Sequence, residues 1–190
     1  MRKFLTMFGV AAAFAASAAA ADNYAIDPTH TVVQFSVDRF GFNDVLGQAP
    51  VVEGVVALDD GAPEKSAVNV KLNLAGLTSG DATRDDHVKG PFWFNVEKFA
   101  TASFASTAVR PTGANTAEVD GVLSLHGVDA PVTLAVTLNK RGADPATKKQ
   151  AAGFSATARL KRSDFGMTTA LGMVGDEVEI TIEALAHKAE

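Results

Sequence analysis

Residues 118–140 read EVDGVLSLHGVDAPVTLAVTLNK. Val119, Leu123 and Leu125 share one phase, and Asp120, Ser124 and His126 share the other. After the turn signal GVDAP, Val132, Leu134, Val136 and Leu138 oppose Thr133, Thr137 and Asn139. Successive side chains of a strand point to opposite faces, so this period marks strands with one face buried and one wet. Working outward, the pattern recurs with Val33, Phe35 and Val37, and again with Val68, Val70, Leu72 and Leu74. It returns with Phe154, Ala156, Ala158 and Leu160, and with Val178, Ile180, Ile182 and Ala184. VVEGVVALD and TASFASTAV are weaker examples. Turn signals such as DDGAPEK, RPTGANT and KRGADPATK separate the runs. The reading is all-β, with about eight strands. A closed antiparallel barrel with an apolar inside accounts for the alternation, and so does a two-sheet sandwich. The inward sets are rich in Val and Ala, which suits a barrel with room for one ligand. A filled core fits that composition equally well.

The chain has 190 residues, a formal net charge of -5 and no cysteine. Thiol chemistry, Cys-ligated zinc and disulfides are therefore excluded. The scattered acidic balance argues against nucleic acid, which calls for a basic patch. Arg2 and Lys3 precede an uncharged, alanine-rich run from Phe4 to Ala21 that ends in small residues. That is the pattern of a cleaved secretory leader. Residues 1–21 are assigned to it and 22–190 to one exported domain. An alanine-rich segment is a weak membrane inserter, so no stable insertion is expected after cleavage. The expected location is the periplasm.

Thr83 to Phe99, TRDDHVKGPFWFNVEKF, sets the densest ionisable cluster against the densest aromatic one. Asp81 or Thr83 suits a helix N-cap, with Asp85 and Asp86 in the first turn and His87 and Lys89 in the last. Gly90 and Pro91 stop the helix. A short helix is therefore expected near residues 82–89, leading into an aromatic wall of Trp93 and Phe94. A catalytic reading would make His87 a base oriented by Asp85 or Asp86. No GxSxG elbow accompanies it, and His30, His87 and His126 lack metal-ligand spacing. His126 falls on the polar phase or in a turn.

Four ordered landmarks carry a further reading. They are YAIDPTHTVVQFSV; RDDHV with FWFNVEKFATASF; GVLSLHGVDAPVTL; and GFSATARLKRSDFGM with GDEVEITIEA. On these the chain resembles the YceI-like family of bacterial polyisoprenoid-binding proteins, from Tyr24 to about Lys188. The resemblance implies an extended, lipocalin-like antiparallel β-barrel whose apolar tunnel holds a polyprenyl chain or similar amphiphile, without catalysis. The chain departs from the family pattern at Phe92 and Asn95, where acidic residues are usual, and at Phe99-Ala100, where Tyr-Pro is usual. Ala102 replaces a β-branched residue, which is expected to enlarge the interior.

The expected lining, on the apolar phases, is Phe35, Val37, Leu72, Phe104, Leu123, Leu134 and Phe154. Arg84, Asp85 and His87 are expected at the rim. The expected partner is a long-chain apolar small molecule, with no other cofactor and no metal; a homodimer stays open. Two alternatives remain: an enzyme acting on an amphiphile through His87 and Asp85, and a non-binding structural stress protein with a packed core.

Overall fold

The computed structural model describes residues 21–189. The leader assignment, apart from Ala21, lies outside the described residues. Ten strands form one antiparallel sheet: β1 (Asp22–Ile26), β2 (Val32–Arg39), β3 (Asn43–Gln48), β4 (Val51–Leu58), β5 (Ala67–Asn73), β6 (Thr101–Pro111), β7 (Thr116–Leu125), β8 (Val128–Ala143), β9 (Gln150–Lys161) and β10 (Val174–Lys188). One helix, α1 (Ala82–Lys89), lies between β5 and β6.

The sheet closes on itself because β10 pairs with β9 on one edge and with β1 and β2 in succession on the other. Tyr24 to Ile26 face Lys188 to Ala186, and Val32 to Arg39 continue along β10 from Glu183 to Val174. Thus β1 and β2 occupy one strand position, interrupted by a single 3-10 turn at Pro28–His30. Asp27 caps that turn by accepting from Thr29 N. β3 and β4 likewise share a position, since β3 pairs with β2 and β4 with β1 and β5. The result is a closed barrel of eight strand positions, which pairs nearly all strand edges. One seam stays loose. Among the described residues β3 does not pair with β5; Gln48 of β3 is bridged instead to Thr78, on the segment leading into α1, which spans the gap.

The barrel was expected with eight strands; β1 and β3 were not. β3 reads NDVLGQ and carries little strand propensity, so its pairing with β2 holds it. The turn after β7 also differs from expectation. His126 and Gly127 both have positive φ, 54° and 78°, giving the two-residue hairpin that a tight β-turn requires. Val128 to Pro131, expected as the turn, belong to β8 and pair with Leu125 to Val122. The helix forms as expected: Asp81 accepts from Arg84 N at 2.8 Å, and Gly90 follows its last residue.

Two packed clusters bracket the barrel. Tyr24, Ile26, Val51, Ala152 and Ala186 form one, and the Tyr24 hydroxyl accepts from Arg141 Nε at 3.0 Å. Arg141 is also ion-paired with Asp60. The other cluster centres on Leu74, Leu125, Phe165 and Met167.

Candidate functional site: an apolar cavity with a polar mouth

Inside the barrel lies an apolar cavity of about 220 Å³ with an open mouth. Its wall runs from Val33, Val70 and Ile182 past Leu72, Phe104, Leu123, Leu134 and Ile180 to Val37, Val45, Trp93 and Val174. These inward side chains are only half-buried although they face the middle of a closed barrel. That exposure is to the cavity itself, and it distinguishes this interior from a close-packed one. Local packing keeps the wall thin. The Phe104 ring reaches across to β7, where a Cβ on Gly121 would lie 2.3 Å from it. Ala102, buried at 3% exposure, and Ala158 add little bulk.

The polar groups gather at one end. Arg84 donates from Nε to the Ser79 hydroxyl at 2.8 Å and from a terminal nitrogen to the Ser79 carbonyl at 2.9 Å. Both residues line the cavity. Arg162 lines it too and is 4% exposed. Its guanidinium donates to the carbonyls of Gly175, Met167, Thr169 and Val174 at 2.7–3.0 Å and lies 5.5 Å from the centre of the Trp93 ring. Burial pushes the Arg162 pKa below the usual arginine value, and the Asp176 carboxylate opposes this. A guanidinium has five N–H groups; four of these bonds leave one donor unmatched on a side chain that borders the cavity. The arrangement is an apolar interior with cationic donors at its mouth, suited to an amphiphile whose head accepts hydrogen bonds.

Nine of the sequence-derived candidates line the cavity: Phe35, Val37, Leu72, Arg84, Trp93, Phe94, Phe104, Leu123 and Leu134. Three lie elsewhere. Asp85 is buried and turned toward the preceding loop, accepting from the Thr78 hydroxyl at 2.7 Å and from Ser79 N and hydroxyl at 2.6 and 2.5 Å. Hydrogen bonds from Ser79, then Thr78, hold its pKa below the usual carboxylate value, against the effect of burial. Asp85 thus pins α1 to the segment that spans the loose seam. His87 is exposed and stacks obliquely on Trp93, ring centres 6.1 Å apart. Neither acidic neighbour on α1 is hydrogen-bonded to it among the described residues. Phe154 packs with the Tyr24 cluster, beyond Ile182 and away from the mouth. Three histidines sit in local structure. His30 Nδ1 lies 2.7 Å from Asp27, His126 Nδ1 donates to the Phe165 carbonyl at 3.0 Å, and His187 Nε2 lies 3.0 Å from Asp144. Among the described residues, no three His, Asp or Glu side chains converge as a metal site would.

Arg162, Ser79 and Val45 were not singled out from the sequence. For Arg162 a signal existed: it continues the inward phase of Phe154, Ala156, Ala158 and Leu160. A charge on that phase is an exception to the alternation and marks a buried, carbonyl-matched cation.

The antiparallel barrel closes around an apolar hollow, and the sequence matches the model of the YceI-like domain over residues 24–186. The chain belongs to the YceI-like family. A UPF0312 protein of Ectopseudomonas mendocina is 37% identical over 166 residues, 86% of each chain. Among solved structures, BcnA of Burkholderia cenocepacia superposes with a TM-score of 0.76 at 25% identity, covering 85% of this chain and 99% of its own. A polyisoprenoid binding domain from Saccharophagus degradans, described as implicated in plant cell wall breakdown, gives 0.64 at 12% identity, over 87% and 98% of the two chains. This last likeness is one of fold.

Proposed function

We propose that this protein binds one polyisoprenoid or similar long-chain amphiphile inside the barrel, as a periplasmic carrier or store. The tail lies along Leu72, Phe104, Leu123 and Leu134, and the head rests at the mouth beside Ser79, Arg84 and Arg162. The observation that carries the reading is the half-buried apolar wall enclosing a hollow. Each 100 Å² of tail moved out of water stabilises the complex by about 2.5 kcal/mol, against an association cost of several kcal/mol. Binding is favoured over turnover, because His87 and Asp85 face different surroundings and share no contact. The name of the Saccharophagus degradans domain and the family resemblance support the ligand class. The periplasmic setting rests on the leader pattern at residues 1–21.

The test is mass spectrometry of a native solvent extract of protein purified from its own host, followed by melts with added prenyl alcohol. A co-purified long-chain apolar molecule and a raised melting temperature are expected, because a ligand of the folded state stabilises it. An extract at background level together with an unchanged melt would falsify the proposal.

A further inference from the structure

We propose that the rim of the barrel mouth docks on the surface of an anionic phospholipid bilayer. Three loops form that rim: the β2–β3 turn, the segment after α1, and the segment joining β9 to β10. Their apolar side chains project outward. Phe42 is 85% exposed, Phe92 76% and Met173 61%, with Phe40 and Leu171 beside them at 43% and 42%. The loops are tied into one surface. Phe40 N donates to the Met173 carbonyl at 3.0 Å, and the Thr169 hydroxyl donates to the Phe92 carbonyl. Arg162 holds the carbonyls of Met167, Thr169 and Val174 beneath them. Exposed apolar side chains gathered in one place mark an interaction surface.

The distribution of arginines chooses the partner. Arg110, Arg141 and Arg159 lie on the walls and at the closed end, each ion-paired with a carboxylate. Arg39 and Arg84 are exposed at the mouth, and among the described residues neither has a carboxylate within ion-pair distance, while Arg162 is buried beneath the rim. Arg39 lies 4.5 Å over the face of the Phe40 ring, which pairs a cation with an aromatic side chain as at the headgroup level of a membrane. Asp38 is occupied in its own turn, accepting from Gly41 N, while Asp44, Asp86 and Asp164 stay exposed. The insertion is shallow, driven by the aromatic tips and assisted by Arg39 and Arg84. The apolar rim is continuous with the cavity wall through Trp93 and Val174. A tail leaving a bilayer can then enter the barrel without crossing water, so this inference rests on the carrier reading.

The experiment uses vesicles of phosphatidylethanolamine with phosphatidylglycerol, neutral phosphatidylcholine vesicles, and the Phe42→Asp/Phe92→Asp double variant. Trp93, the sole tryptophan, stands at the mouth and reports contact by its emission. Wild type is expected to co-sediment with the anionic vesicles and shift to the blue. The double variant should bind them at least about tenfold more weakly, with an unchanged melting temperature and unchanged uptake of a prenyl alcohol supplied from solution. Wild type that takes up the prenyl alcohol and ignores both vesicle types overturns the docking proposal and leaves the carrier reading standing. Vesicle binding without prenyl uptake does the reverse. Concentration-dependent dimers of wild type that the double variant abolishes, with no vesicle binding, assign the rim to a second copy and overturn the proposal.

Discussion

The outer edge of the Phe35 ring occupies the space that a side chain on Gly47 would need. A Cβ built on that glycine would lie 2.2 Å from the ring. The two residues face each other across β2 and β3. Phe104 and Gly121 repeat the device on β6 and β7 with a two-residue offset. Both rings lean along the wall over a neighbouring backbone, and the middle of the barrel stays open.

Gly47→Ala should therefore push Phe35 into the cavity. The ring has room to move, so the stability loss stays below the roughly 1–3 kcal/mol of ordinary overpacking. Binding of a long-chain amphiphile should fall at the same time. Parallel urea titrations and ligand titrations of the variant check this; an unchanged affinity would show that the ring does not screen the cavity.

Hollow and packed positions should respond differently to truncation. Phe165 is 1% exposed in the packed cluster, and Phe165→Ala should cost about 3–5 kcal/mol. Leu134 faces the cavity, so Leu134→Ala should fall below the usual loss of about 2–5 kcal/mol. Equal or reversed costs in chemical unfolding would contradict a hollow interior.

Arg162→Lys tests whether planar reach matters. One ammonium cannot serve carbonyls at Met167, Thr169, Val174 and Gly175 together, and each carbonyl left unpaired costs about 1–3 kcal/mol. Strong destabilisation is expected, with altered Trp93 emission because the guanidinium beside the ring is lost. A lysine variant as stable as wild type, with the same emission, would refute this role.

Asp27 sets an acid limit. Its carboxylate accepts from the Thr29 hydroxyl at 2.6 Å and from Thr29 N at 2.8 Å, and lies against His30; hydrogen bonding, first from Thr29, lowers its pKa from 3.8 to about 2. A folded-state value below the unfolded one adds stability that is complete above pH 4. That stability is lost as pH falls through 4 toward 2. The contribution is at most about 2 kcal/mol. Melts between pH 2 and 6 should show a shallower acid-side decline in Asp27→Asn than in wild type, and coincident slopes would remove Asp27 from the account.

Strand phases, the helix at 82–89 and the family were legible in the sequence alone, with Asp81 one of two cap candidates beside Thr83. The phases and the cap follow from local geometry: alternation comes from the pleat, and caps come from orphaned backbone groups at a helix end; the family was carried by resemblance over four ordered motifs. Periodicity did not separate barrel from sandwich; only the family resemblance implied the barrel. That choice depends on whether β10 meets β1, more than 150 residues away, and closure leaves no trace in periodicity. Nor could it tell Phe154 from Phe104. Both sit on inward phases, yet one packs on Tyr24 and the other lines the hollow, because cavities arise from distances between strands remote in the chain. Asp85 shows the same limit: its residue type suited a rim, but only the fold turned it inward to Thr78 and Ser79.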